Sequence, residues 1–382
     1  MAEEPAHWSL HLPTRLVFGI DALMRLPDMA GQRLLLVTTP GFVRRGVADK
    51  VRAIMGDRIV HVHDDVQPNP DLDHLDRSAA ALKPLELDGI VALGGGSVMD
   101  SAKALAMLLG GDPALSMDSH LRGGLPAPER ALPIIAVPTT AGTGSEVTPF
   151  ATVWDHAASK KYSIVGPHLR PQVALLDPKL TLGLPPEVTI STALDAISQA
   201  FESYWGRASN AVTEAWAVHA FRLGLESLPR IVADPDNLAD RGHMMEASLL
   251  AGMAISHTRT AIAHSISYPV TARFGLPHGF ACSFTLPAIL QFNAELFPER
   301  AATLAHAVGE PDVAALVRRL LDLFAAVDLR SWMAAYVPSI DDLKPFIPEM
   351  ITPGRADNNM RPVTLRDVET LLDQSKRIAH FA

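Results

Sequence analysis

Cysteine is all but absent from the 382 residues, with Cys282 the single example. That excludes an intramolecular disulfide framework and a cysteine-cluster zinc site, and it fits a reducing compartment. A run of about 18 or more apolar residues able to span a bilayer is also lacking. The start, MAEEPAHWSLHLPTRLVFG, is acidic and has no basic segment leading into a long apolar one, so no secretory signal is expected. Basic excess is missing too: the formal charge of −9 repels polyanions, so neither nucleic acid nor an acidic membrane surface is an expected partner. The expected address is the cytoplasm. There is no internal repeat and no low-complexity tract.

What the chain does have is enough length for two hydrophobic cores, with 48% hydrophobic and 20% charged residues. From residue 33 to 178, short apolar runs alternate with helical patterns: RLLLVTT (33 to 39), IVHVHDDV (59 to 66), GIVALGGGS (89 to 97), ALPIIAVPTT (131 to 140) and QVALLDP (172 to 178). Helix candidates lie near 41 to 56, 70 to 83 and 98 to 110. This alternation predicts βαβ units and a mostly parallel sheet, whose ligands sit at the carboxyl ends of the strands. Beyond TLGLPPEV (181 to 188) the apolar residues recur every three or four positions and the pattern becomes all-helical. The pair Pro185 and Pro186 cannot continue a regular element, so the expected domains are 1–184, α/β and nucleotide-binding, and 185–382, helical.

GGGSVMDSAK (94 to 103) follows an apolar strand and opens a helix, where free backbone N–H groups and the helix dipole can hold a pyrophosphate. It is neither GxGxxG nor a Walker loop, and a plain strand-to-helix turn explains it equally well. A second loop, PTTAGTGSEVT (138 to 148), also follows a strand and supplies hydroxyls. Two such loops at one sheet edge favour a nucleotide site. The strand that would carry a ribose-binding carboxylate ends instead in Thr38, Thr39 and Pro40, with Arg44 and Arg45 nearby, so NADP is tolerable as well as NAD.

Asp195 and Gln199 stand four apart in a helical segment and project from one face. His264 and His278 follow downstream. Such residues are more often solvated or core side chains than ligands.

With GGGSVMDSAK, PTTAGTGSEVT, KKYSIVGPHLRPQVALLDP (160 to 178), the Asp195 segment and His264 followed by PHG (277 to 279), the sequence resembles the iron-dependent (group III) alcohol dehydrogenases over roughly residues 10 to 300. The resemblance weakens toward the C-terminus, where DNNMRPVT (357 to 364) alone is similar. It implies the dehydroquinate synthase-like fold: an α/β Rossmann-like N-terminal domain, an all-α C-terminal domain and a metal in the cleft between them. Motif by motif, it implies metal ligation by Asp195, Gln199, His264 and His278. It also implies cofactor contacts at Asn69, Gly95, Gly96, Ser97, Asp100, Thr139, Thr140, Thr143 and Lys161. The family's second ligand is ordinarily histidine. Gln199 offers only a neutral carbonyl oxygen, which weakens affinity and shifts preference toward oxygen-loving ions; the resemblance makes Fe²⁺ the first expectation, with Zn²⁺ or Mn²⁺ as alternatives. Many members carry a further histidine near the nicotinamide, where this chain has Tyr268.

The implied chemistry is reduction of an aldehyde by NAD(P)H, with Asp195, His264, His278 and Tyr268 at the catalytic centre and the ion acting as a Lewis acid. Segments 193 to 210 and 256 to 279 look most like the phosphonate-metabolism branch, which reduces phosphonoacetaldehyde to 2-hydroxyethylphosphonate. A dianionic tail demands a guanidinium. Arg259 is the first candidate, followed by Arg207, Arg273 and Arg361. The alternatives are a general alcohol or diol dehydrogenase of the same family, a maleylacetate-reductase-like enzyme, and a metal-free nucleotide-binding protein. From the resemblance a homodimer or larger homo-oligomer is expected.

Overall fold

The computed structural model describes residues 7–378 apart from 30, 113 and 159; residues 1–6 of the acidic start therefore lie outside the described residues. The chain divides into two compact units. Among the described residues, one comprises 14–185 with 235–245 and the other comprises 7–13, 186–234 and 246–378. The chain passes from one to the other between Pro185 and Pro186.

The first unit is built on a six-stranded parallel sheet. Its strands are β1 (Arg15–Phe18), β2 (Leu34–Val37), β3 (Ile59–His63), β4 (Gly89–Gly94), β5 (Ile134–Pro138) and β8 (Val173–Leu176), in the spatial order β1-β8-β5-β4-β2-β3. Five of these coincide with the apolar runs. Buried on both faces, such strands must be apolar at successive positions, and alternate residues feed two cores. Leu35, Val37, Ile90, Ala92, Ile134 and Ala136 face one cluster, shared with the helices Leu72–Leu82 and Gly96–Gly110. Leu34, Leu36, Val91, Leu93, Ile135 and Val137 face the other, shared with the helix Val47–Met55. The order of the strands reverses direction between β2 and β4, which places the crevice of a doubly wound sheet beside the end of β4.

Two elements lay outside the apolar-run pattern. Strand β1 is short and mostly exposed along its length, so it lacks the signature of a buried strand. An antiparallel hairpin, β6 (Phe150–Asp155) with β7 (Lys160–Val165), pairs Phe150 with Val165 through Asp155 with Lys160. Its outer strand is mostly solvated.

The second unit is helical. It includes the long helices Pro186–Trp205 and Ala211–Ala233, accompanied by Ile262–Phe274 and the short His278–Ser283. Asn210 caps Ala211–Ala233 by accepting from the backbone of Val212 and Thr213. Among the described residues no helix is long and apolar enough to cross a membrane.

Candidate active site

In the first unit the two glycine-rich loops lie against each other. A Cβ on Gly96 would stand 2.8 Å from Thr143 Cγ2, and one on Gly95 would stand 3.1 Å from Thr140. Gly96 therefore admits a Cβ only if Thr143 shifts, and Gly95 only if Thr140 gives by a few tenths of an ångström. The helix Gly96–Gly110 begins there without a side-chain cap, so no capping side chain satisfies its first N–H groups. Thr139 is buried, while Thr140 and Thr143 are partly exposed beside Gly95–Ser97. Asn69 sits in the loop after β3 with a left-handed φ of 57°, exposed, its carbonyl oxygen 3.2 Å from His156 Nε2. Lys161, on β7, lies over the Trp154 ring with Nζ 5.8 Å from its centroid.

Asp100 spends its carboxylate on the second loop and on β6, accepting from Ser145 Oγ at 3.1 Å and from Thr152 N at 3.0 Å. Next to it is a residue that sequence reasoning passed over. Lys103 is fully buried, and its ammonium donates to Ser145 Oγ (2.9 Å), Thr148 Oγ1 (3.0 Å) and the carbonyl of Phe150 (2.8 Å). Burial lowers its pKa to about 8 against the pull of Asp100 and Glu146; burial likewise lifts Glu146 to about 7. One cation thus ties the helix after β4 to the loop after β5.

In the second unit the implied ligands come from three helices. Pro186–Trp205 carries Asp195, Gln199 and Glu202 at i, i+4 and i+7, one stripe of the helix, and all three are nearly inaccessible. Ile262–Phe274 presents His264 near its start, and His278–Ser283 opens with His278. Asp195, His264, His278 and Cys282 each offer one ligand atom, all within 4.8 Å of one another. Gly279 makes this possible: a Cβ there would lie 1.6 Å from the carbonyl oxygen of Ser191. Only glycine lets the His278 helix approach Pro186–Trp205 that closely.

His264 Nε2 is 3.3 Å from Asp195 Oδ1, and its Nδ1 is 2.6 Å from Glu202 Oε2. A carboxylate only accepts, so Nδ1 carries a hydrogen and Nε2 faces Asp195. Glu202 also accepts from the backbone N–H groups of Ala261, Ala263 and His264, closing the start of that helix in place of a cap. Carboxylate and imidazole thus have the arrangement by which an outer carboxylate orients a metal-binding histidine. Burial disfavours a charged ring, yet Glu202 and Asp195 on its two sides raise the His264 pKa to about 10. Burial also opposes ionisation of Asp195, but the hydrogen bond from His264, the charges of His278 and His264 and a bond from Gln199 hold it below the ordinary carboxylate range. A pocket that keeps a proton between two carboxylates has the charge to receive a cation. The donor set of carboxylate, imidazoles and thiol is one that divalent transition ions accept, so the residues fit a metal.

Tyr268 stacks on His278, with centroids 6.4 Å apart at 12°, and its hydroxyl oxygen accepts from Arg355 Nε at 3.2 Å. Of the arginines expected to meet an anion, Arg273 is paired with Glu349 at 2.6 Å and Arg361 with Glu295 at 2.8 Å. Arg207 donates from Nε to the carbonyl of Asn359. Arg259 is exposed, on a left-handed backbone with φ 63°. Sequence reasoning missed Glu202, Lys103 and Arg355. For Glu202 the available signal was its i+7 spacing from Asp195, and for Lys103 its place in the apolar run AKALAML.

Residues 13–178 match the family model for iron-containing alcohol dehydrogenases, and residues 189–376 match the model for the C-terminal part of the Fe-containing alcohol dehydrogenase family. The phosphonoacetaldehyde reductase of Streptomyces viridochromogenes is 37% identical over 313 residues, 80% of this chain and 77% of that protein. The 1-propanol dehydrogenase PduQ of Salmonella typhimurium is 30% identical over 378 residues, covering 95% and 98%. The crystal structure of sulfoacetaldehyde reductase from Bifidobacterium kashiwanohense in complex with NAD+ superposes with a TM-score of 0.89 at 33% identity, covering 98% of this chain and 99% of that one.

Proposed function

Because the chain belongs to the iron-containing alcohol dehydrogenase family and is an oxidoreductase, we propose that it reduces an anionic two-carbon aldehyde, phosphonoacetaldehyde, to 2-hydroxyethylphosphonate with NADH or NADPH. The observation that carries the metal-assisted part is the convergence of Asp195, His264 and His278 within 4.8 Å. Gln199 stands beside them as a weaker amide donor, at the position the family gives to histidine. A bound divalent ion supplies Lewis-acid polarisation of the carbonyl oxygen.

The chain's own residues then have three tasks. Asp195, His264 and His278 hold the ion, with Glu202 fixing the His264 tautomer that leaves Nε2 available. The loops at Gly95–Ser97 and Thr139–Thr143, braced by Lys103 and Asp100, hold the dinucleotide phosphates, and Asn69 and Lys161 lie on elements that complete this site. Tyr268 Oη accepts from Arg355, so its own hydrogen remains to protonate the product alkoxide.

Arg355 gives the anionic tail its partner. It reaches Tyr268, which stacks on His278, whereas Arg273 and Arg361 are engaged by carboxylates; Arg259 is the second candidate. The 37% identity to a phosphonoacetaldehyde reductase supports a phosphonate tail. The near-complete match to a sulfoacetaldehyde reductase supports a second reading, a sulfonate tail on the same two-carbon aldehyde.

The test is a panel of phosphonoacetaldehyde, sulfoacetaldehyde and propanal, each assayed with NADH and NADPH after loading with Fe²⁺, Zn²⁺ or Mn²⁺. The phosphonate should have the highest kcat/KM. A preference for propanal would remove the anion pocket, and absence of turnover with every ion and aldehyde would remove the enzyme reading for this site.

A further inference from the structure

We propose that Cys282 is itself a metal ligand, binding as a thiolate beside Asp195, His264 and His278 in place of the weakly donating Gln199 amide. The inference rests on the metal reading above and concerns a residue that the resemblance does not assign. A buried free cysteine is usually a small apolar filler. Cys282 differs in what its sulfur faces. His278 and Cys282 are i and i+4 on one short helix, so both side chains leave the same face. That face abuts Asp195, with Cys282 Sγ 3.8 Å from Asp195 Oδ1.

The spacing supports this at two edges of the cluster. For metal–nitrogen or metal–oxygen bonds of about 2.05 Å and a metal–sulfur bond of about 2.3 Å, a tetrahedron has edges of roughly 3.3 Å between nitrogen and oxygen and roughly 3.5 Å between oxygen and sulfur. The observed His264 Nε2 to Asp195 Oδ1 separation is 3.3 Å, and Cys282 Sγ to Asp195 Oδ1 is 3.8 Å. Both edges are thus formed to within a few tenths of an ångström.

Charge points the same way. With Gln199 in a histidine position, Asp195 would be the single anionic ligand. A thiolate adds a second and leaves a neutral site around M²⁺. Binding releases the thiol proton to solvent and involves no redox change. Sulfur is soft, so this ligand moves preference from Mn²⁺ toward Zn²⁺, Fe²⁺ and Co²⁺, opposite to the drift that Gln199 alone implies.

Because the chain has one cysteine, any thiolate-to-metal signal must come from Cys282. The full-length protein is stripped with chelator and reloaded with Co²⁺, and the bound metal is counted. Wild type should hold one equivalent and show both visible ligand-field bands and a near-ultraviolet sulfur-to-cobalt charge-transfer band. Cys282→Ser and Cys282→Ala should keep the ligand-field bands, lose the charge-transfer band, and bind Co²⁺ more weakly by at least the ~10-fold that outer-shell partners command. X-ray absorption on zinc-loaded wild type should place a sulfur at about 2.3 Å. Stoichiometric Co²⁺ with ligand-field bands but no charge-transfer band overturns the cysteine assignment and leaves the Asp195, His264 and His278 site standing. No stoichiometric metal in wild type and Asp195→Ala alike overturns both.

Discussion

Replacing Glu202 by Gln keeps the volume and removes one charge, and the surroundings allow no neutral substitute to satisfy every partner. The carboxylate accepts from four donors: His264 Nδ1 and the backbone N–H groups of Ala261, Ala263 and His264. An amide has one oxygen. If that oxygen faces the backbone, the NH₂ group meets Nδ1 and drives His264 to the other tautomer, with hydrogen on Nε2, which can no longer bind an ion. If the oxygen faces Nδ1 instead, the NH₂ group confronts backbone donors, and buried N–H groups lose their partners at about 1–3 kcal/mol. The first arrangement appears in metal affinity and the second in stability. Outer-shell carboxylates of this kind are worth 10–100-fold in metal affinity, about 1.4–2.7 kcal/mol. Competitive titration against a chelator of known affinity should show the dissociation constant of Glu202→Gln raised by that factor, with the thermal midpoint lowered in the metal-free protein. A dissociation constant within threefold of wild type together with an unchanged midpoint would refute the assignment of Glu202 as the group that orients His264.

Three further outcomes are expected. Arg355→Gln should raise KM for phosphonoacetaldehyde by about 10-fold or more, the loss of one charge-assisted contact of about 1.5–3 kcal/mol, while leaving KM for propanal nearly unchanged; equal effects on both would shift the anion site to Arg259. Lys103 titrates at about 8 in the folded protein against 10.5 in the unfolded chain. Above pH 8 its ammonium loses its proton and its hold on Ser145, Thr148 and Phe150 weakens, so the dissociation constant for NADH should climb between pH 8 and 10. Over the same range the unfolded chain binds the extra proton, so this group alone adds stability as pH rises. Lys103→Met should bind NADH more weakly at pH 7 and flatten both profiles; a wild-type profile retained in the variant would clear Lys103. Gly279→Ala puts a methyl group against the Ser191 carbonyl oxygen and should cost at least ~3 kcal/mol, the upper range for overpacking, read as a lowered denaturation midpoint with loss of bound metal.

What the sequence made legible followed from repetition. Strands β2, β4 and β5 are buried on both faces, so their apolar runs were continuous, and the glycines of GGGS and the Pro185–Pro186 pair mark where such runs must stop. Strand β1 and the β6–β7 hairpin escaped because half-solvated strands have mixed composition. The three charged residues that matter most here escaped for a different reason. Glu202, Lys103 and Arg355 each act through a partner far along the chain: His264 for Glu202, Ser145 and Thr148 for Lys103, Tyr268 for Arg355. In one dimension each reads as an ordinary surface charge, since glutamate, lysine and arginine are seldom buried.

Only the fold reveals that Glu202 and Lys103 have left water, and leaving water changes what they can do. A solvated carboxylate on a helix is worth a few tenths of a kcal/mol. The same carboxylate sealed between a histidine and a helix N-terminus sets a tautomer, closes a helix and adds negative charge beside the cluster of Asp195, His264, His278 and Cys282. The sequence does carry a trace of this. Asp195, Gln199 and Glu202 share one stripe with Ala196, Ala200 and Ser203, and none of these residues is exposed. Polar side chains on a buried stripe violate the amphipathic pattern, and each must have a partner. Its carboxylates therefore required complementary donors elsewhere in the chain, and the ring of His264 with the backbone N–H groups of Ala261, Ala263 and His264 supply them to Asp195 and Glu202.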